Sequence, residues 1–235
     1  MNPNKILDGI YSQQDSYILY NIVKQLNPQT VLEIGCRTGR TTSIILQAIR
    51  PDTKYWCFEK DPYFCKQVKS FARNEYSNYN VKFYFNVINH SLLKSLPPID
   101  LLFIDAQHDY IFAKWYVENL FPLTHDKSVI HIHDIYYKDN LDSLGFKNHP
   151  QTHRDIVDQN KLKELYPTIY DQYYENKVLF EEDVIRNFCL DNPEYFWYST
   201  TQTPICEPAT KIYKSSDVKN CSFYLYKENY YDKIY

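Results

Sequence analysis

The stretch Val31-Leu32-Glu33-Ile34-Gly35-Cys36-Arg37-Thr38-Gly39-Arg40-Thr41-Thr42-Ser43 decides how the rest of the chain reads. Val31 to Ile34 is a short apolar run, broken only by Glu33, of the kind that forms a buried strand. Gly35 and Gly39 then lead into Ile44-Ile45-Leu46-Gln47-Ala48-Ile49, which reads as helix. A strand that turns through glycines into a helix N-terminus builds a small-molecule site. The glycines let backbone approach a ligand, and the first N–H groups of the helix point at it. Thr41 and Thr42 are placed to cap that helix or to donate to an anion held there. The chain has only 4 glycines, the others being Gly9 and Gly145, so half of them serve this one loop.

Upstream, Ser16 is set to cap a helix over Tyr17 to Leu26, which Asn27-Pro28 stops. Downstream, Lys54 to Glu59 is a β-prone run ending in an acid, and Asp61-Pro62 opens a helix through Phe71. Glu59 lies 20 residues beyond Gly39, where an acid at the tip of a second strand can take both hydroxyls of a ribose. Val81 to Ile88 reads as the third strand, closed by Asn89-His90-Ser91 and a short helix. Pro98 to Asp105 is the fourth, apolar throughout and so buried on both faces. A helix over Ile111 to Leu120 and a fifth strand, Ser128 to Asp134, follow. Five β–α units in series predict an α/β fold with a doubly wound, Rossmann-like parallel sheet. Ligands of such sheets sit beyond the carboxyl ends of the strands, and Glu33, Glu59, Ser91, Asp105 and Asp134 all fall there.

The expected organisation is a single domain of 235 residues. Residues 1–29 form a helical cap and 30–134 the core, 135–194 an inserted helical lid that selects substrate, and 195–235 a pair of antiparallel strands completing seven. His149, His153 and Arg154 lie in that insertion. A net charge of −3 gives no electrostatic case for nucleic acid, and no apolar run is long enough to span a bilayer. The opening Met1-Asn2-Pro3-Asn4-Lys5 has no secretory signal, and none of the six cysteines forms a Cys-x-x-Cys pair. Reduced thiols in a cytoplasm are the expected setting. The richness in Tyr, Asn, Lys and Ile suggests a low-GC bacterium or a large DNA virus.

Glu33-x-Gly35-x-x-x-Gly39 lacks the Gly-x-Gly-x-x-Gly of dinucleotide sites, which disfavours a nicotinamide enzyme. It resembles instead the loop of class I S-adenosylmethionine (SAM) methyltransferases. Phe103-Ile104-Asp105-Ala106-Gln107-His108-Asp109-Tyr110 and Val129 to Asp134 resemble two consecutive strand tips of the sugar and small-molecule O-methyltransferases, in the macrocin and catechol O-methyltransferase branch. The resemblance implies SAM as cofactor, with its methionine part wrapped by Gly35, Cys36, Arg37 and Gly39. By the same resemblance Glu33 orients the amino end and Thr41 the carboxylate. Glu59, with Lys60 beside it, takes the ribose, His90 and Ser91 the adenine, and Asp105 reaches the site as well.

The resemblance further implies a divalent metal, magnesium or similar, on Asp105, His133 and Asp134. Relatives carry two acids or Asp-Asn where this chain has His133-Asp134, so His108 or His133 is the alternative as catalytic base. The catalytic set is then Asp105, His108, His133 and Asp134. His131, inside an apolar strand, reads as a buried structural residue. The expected reaction is methyl transfer to a hydroxyl of a small molecule, a sugar nucleotide or glycan precursor being favoured, by an enzyme that relatives suggest is a homodimer. N-methylation of an amino-sugar and a non-catalytic SAM-binding protein are the alternatives.

Overall fold

The computed structural model describes residues 1–2, 6–7, 13–85, 90–106, 108, 110–135, 181–199 and 222–227. The strands are β1 (Thr30–Ile34), β2 (Lys54–Glu59), β3 (Val81–Phe85), β4 (Ile99–Ile104), β5 (Thr124–His133), β6 (Phe196–Ser199) and β7 (Ser222–Tyr226). The helices are α1 (Gln13–Leu26), α2 (Arg40–Ala48), α3 (Pro62–Glu75), α4 (His90–Leu93), α5 (Tyr110–Asn119) and α6 (Glu181–Asp191). All seven strands form one sheet in the order β3-β2-β1-β4-β5-β7-β6. Strands β1 to β5 pair in parallel, and β7 inserts antiparallel between β5 and β6. The doubly wound sheet with a closing antiparallel pair is the fold the sequence predicts.

The period of two along each strand sorts side chains between two cores. Val31 packs with Leu19, Ile44, Tyr55, Val68 and Phe103 beneath α1, α2 and α3. Leu32 and Ile34 pack with Tyr116, Ile185, Trp197 and Phe223 beneath α5 and α6. Each such side chain contributes about 1.5–3 kcal/mol by leaving water. Glu33 falls on the Val31 side of this alternation, facing α2.

Asp61 caps α3 as expected, accepting from the Tyr63 N–H at 2.8 Å with Pro62 in the first turn. Two local expectations are corrected. Ser16 does not cap α1, because that helix begins at Gln13 and buries Ser16 inside it. Neither Thr41 nor Thr42 caps α2; Gly39, in the left-handed region at φ 83°, takes the cap position with no side-chain cap, and both hydroxyls turn inward.

Most of the expected insertion, with His149, His153 and Arg154, lies outside the described residues. Its described part, α6, packs into the core: Ile185 and Cys189 are wholly buried in the cluster that holds Ala113 and Tyr116 of α5. No described helix is long and apolar enough to cross a membrane.

Candidate active site at the carboxyl ends of the strands

The parallel registers bring Ile34, Phe58 and Ile104 level, so β1, β2 and β4 end side by side. The backbone seals this junction: Gly35 N–H donates to Phe58 O at 2.9 Å and Asp105 N–H to Ile34 O at 2.9 Å. Gly35 has φ 84°, and a Cβ there would stand 1.9 Å from the Asp105 carbonyl oxygen. Only glycine allows that approach. Arg37 follows in the left-handed region at φ 41°. Its N–H donates to Glu59 Oε2 at 2.6 Å, while Asp61 N–H donates to Glu59 Oε1 at 2.9 Å. Glu59 thus clamps the loop to the tip of β2, and each of its oxygens keeps a lone pair for a further donor. Cys36 is buried beneath the loop, and Lys60 is exposed at its rim.

Glu33 sits deeper. It is wholly buried, with Oε1 accepting from the Thr41 hydroxyl at 2.8 Å. Its Oε2 accepts from Thr42 at 2.7 Å, from the Tyr55 hydroxyl, and from the Cys57 thiol at 3.2 Å. Burial raises the Glu33 carboxyl above its ordinary value, and the four donors offset part of that rise. Burial also pushes the Tyr55 and Cys57 groups well up, so both remain protonated donors. The carboxylate expected to meet SAM ties α2 to β1 and β2 from below. Tyr55 and Cys57 did not stand out in the sequence, though alternation along β2 places both on the face of Glu33.

Beyond β4 and β5 lies a cluster of acids and histidines. Asp105, with 29% of its side chain exposed, stands 3.6 Å through Oδ1 from His108 Nε2 and 3.5 Å through Oδ2 from His133 Nδ1. His133 Nδ1 is also 3.4 Å from Asp134 Oδ1, Asp134 being turned by a left-handed φ of 55°. His108 Nδ1 meets Glu181 Oε2 at 3.0 Å, and Glu181 Oε1 accepts from the Tyr116 hydroxyl at 2.8 Å. Burial opposes charge on each member, yet pairing prevails. Asp105 is held well below the usual carboxylate range by His133 and His108. His133 is raised to about 10 by Asp105 and Asp134, and His108 is raised well above its ordinary value by Asp105 and Glu181. His131, by contrast, is kept neutral by burial, stacked on Tyr224 with centroids 4.2 Å apart.

All four residues expected to be catalytic therefore converge. Among the described residues, donor atoms within 4.8 Å of one another come from Asp105, His108 and Asp134. His133, only 3% exposed, stands between the two carboxylates, its Nδ1 within 3.5 Å of both. Glu181 was missed as a site residue, since it lies 73 residues from His108 at the start of a helix assigned to the lid. The side chains of His90 and Ser91 lie outside the described residues.

A family model described as a methyltransferase domain matches residues 32–135. The O-methyltransferase TomG of Streptomyces achromogenes, solved with SAM, is 14% identical, with 93% of this chain and 82% of that one covered at a TM-score of 0.58. An O-methyltransferase from Bacillus cereus, solved with S-adenosylhomocysteine (SAH), is 14% identical over 95% and 85% of the two chains, with a TM-score of 0.56. The SAH-bound methyltransferase PaMTH1 of Podospora anserina is also 14% identical, over 94% and 80%, at 0.56. No curated protein matches the chain. At these identities the likeness to solved structures is one of fold: the chain has the fold of these methyltransferases, and its residues 32–135 match the methyltransferase-domain model.

Proposed function

We propose that the chain transfers the methyl group of SAM to a hydroxyl of a small molecule. The observation that carries this reading is the junction at Gly35. One loop, clamped by Glu59 and lacking a Cβ against Asp105, joins a cofactor cradle directly to an acid–histidine cluster. The Gly35–Gly39 loop holds the methionine part, with Cys36, Arg37, Lys60 and the first turn of α2 around it. The remaining lone pairs of Glu59 accept from the ribose hydroxyls. Glu33, with no exposed atom, supports the loop through Thr41 and Thr42 rather than by touching SAM. His90 and Ser91, at the start of α4, are assigned to the adenine edge.

The reaction is an in-line displacement. The acceptor oxygen forms a bond to the methyl carbon, the carbon–sulfur bond breaks, and its electron pair stays on sulfur as SAH leaves. The hydroxyl proton passes to a carboxylate of the cluster, since pairing with the acids keeps His108 and His133 protonated. Positioning supplies most of the rate. Asp105 and Asp134 would hold a divalent ion, which would lower the pKa of the acceptor hydroxyl. His133, between the two carboxylates, fixes their orientation. A sugar or glycan precursor is the favoured acceptor, on the resemblance of Phe103–Tyr110 to the sugar O-methyltransferases. The free thiols of Cys36, Cys57, Cys65 and Cys189 suit a reducing cytoplasm.

Calorimetric titration of the purified chain with SAH tests the cofactor assignment. Binding in the micromolar range is expected. The absence of heat and of any thermal stabilisation would overturn it.

A further inference from the structure

The outer edge of the sheet carries side chains that methyl transfer does not use. Strand β3 ends the sheet and pairs only with β2. Helix α3 packs beside it, and Lys69 and Arg73, four residues apart, share one face of that helix. With Lys82 of β3 they line a cleft of about 500 Å³ that also holds Tyr76, Tyr79 and Tyr84. Tyr76 is braced by Phe71, with centroids 5.8 Å apart, and Tyr84 is stacked on Phe58 at 4.8 Å. Tyr79, half-buried, meets Tyr76 edge to face at 5.1 Å. Packing therefore fixes these rings before any ligand arrives.

A second cleft, of about 350 Å³, is lined by Lys54, Trp56 and Asn80, and it shares Lys82 with the first. Lys54 opens β2 and Asn80 precedes β3, so both clefts reach the amino ends of the strands, opposite the Gly35 junction. Lys54, Arg73 and Lys82 are exposed and Lys69 is half-buried. Among the described residues that line either cleft, none is acidic. Glu75, beside Tyr76 in sequence, is exposed and outside the lining. The chain as a whole carries −3, so this concentration of positive charge is local.

We propose that this band binds single-stranded nucleic acid. Lys54, Lys69, Arg73 and Lys82 take its phosphates, and bases stack at Tyr79 and the rings beside it. Cations tracking a backbone, interleaved with fixed aromatic rings, suit a single strand of any sequence, since every base has a π-face. A free nucleotide would fill one cleft and leave the other cations unused, whereas a flexible strand passes over Lys82 from one cleft to the other. An acidic peptide would meet the cations but has no use for the rings. The proposal is independent of the methyltransferase reading, because the band shares no residue with the cofactor cradle or the acid–histidine cluster.

The test uses the full chain and fluorescein-labelled single-stranded 12-mers of deoxythymidine and of uridine, followed by fluorescence polarisation across a salt series. Micromolar binding at low salt is expected, with a slope of log affinity on log salt of about −2 to −3 for four phosphate contacts. The double variant Arg73→Ala/Lys82→Ala should reduce that slope by about 1–1.5 and leave SAH affinity unchanged. Tyr79→Ala should weaken binding at least about 5-fold with the slope preserved, and Tyr79→Phe should restore it. If Tyr79→Ala does not fold, the two exposed cations carry the test. No binding of either 12-mer at low salt would overturn the proposal, as would an unchanged slope in the double variant. Polyglutamate of equal charge competing as well as the 12-mer, with Tyr79→Ala indifferent, would instead make the band a surface for acidic protein. Displacement of the 12-mer by uridine monophosphate at equal nucleotide concentration would assign the cleft to a free nucleotide and equally overturn it.

Discussion

Glu33 and Glu59 are two acids of one sequence signature with opposite surroundings, and they should fail differently. Removing Glu33 strands four buried donors, and each unsatisfied group costs about 1–3 kcal/mol. Glu33→Ala is expected to lose about 3 kcal/mol or more in urea denaturation, while Glu33→Gln, which keeps the shape and most acceptor capacity, loses about 1 kcal/mol. The raised pKa of Glu33 sets a sign as well. Its contribution is complete below the unfolded value, 4.5, and declines as pH rises through the folded value. The gap between wild type and Glu33→Gln should therefore be wider at acid pH than at pH 7 in paired denaturation curves. Glu59→Ala should leave the core intact and weaken SAH by about 10- to 100-fold in calorimetry, the worth of a charge-assisted hydrogen bond. An unchanged dissociation constant would remove Glu59 from the ribose. Spacing alone placed both acids at strand ends. It did not show that one of them faces inward, because that depends on the side-chain direction in β1 relative to α2.

The element that joins β1 to α2 depends on two glycines with almost the same dihedral angle and unlike neighbours. A Cβ on Gly35 meets the backbone oxygen of Asp105 at 1.9 Å, which cannot yield without moving β4. A Cβ on Gly39 meets Val68 Cγ2 at 2.7 Å and Leu7 Cδ1 at 2.8 Å, side-chain atoms that can rotate. Both alanines carry the left-handed penalty of about 1–2 kcal/mol. Gly35→Ala should therefore cost well over 2 kcal/mol and abolish SAH binding, whereas Gly39→Ala should stay near about 1–2 kcal/mol and still bind, as thermal melts with and without SAH would show. This element was legible because its glycines, its apolar strand and its following helix agree. Strands β2 and β4 and the Asp61–Pro62 helix start were legible for the same reason. The caps of α1 and α2 were not, since tertiary contacts decided between several hydroxyls of equal local merit.

At the scale of the molecule, ligand binding should appear as stability. SAH at 100 times its dissociation constant adds about 2.7 kcal/mol to the folded state. For a chain of this size that is a rise of about 5–10 °C in melting temperature. A melt insensitive to SAH would contradict the cofactor assignment. The order of the first five strands follows from β–α alternation, and the antiparallel close could be read from two strand-like runs joined by a polar loop and from the family resemblance. What escaped was the long-range pairing of His108 with Glu181, because no local pattern links a loop after β4 to a helix beginning 73 residues later.

The place of β7 bears on how the protein is made. It pairs with β5 from Val129 to His133, and its Tyr224 covers His131, so the strand that carries His133 and leads to Asp134 has an open flank until residues 222–226 are delivered. At about 5–20 residues per second, a ribosome takes roughly ten seconds to travel from the end of β5 to β7. Through that interval an apolar, unpaired edge is available to any neighbouring chain. A nascent chain stalled or cleaved between the two strands would be prone to aggregate and would have no finished site, so translation completes the sheet and the chemistry in a single late step.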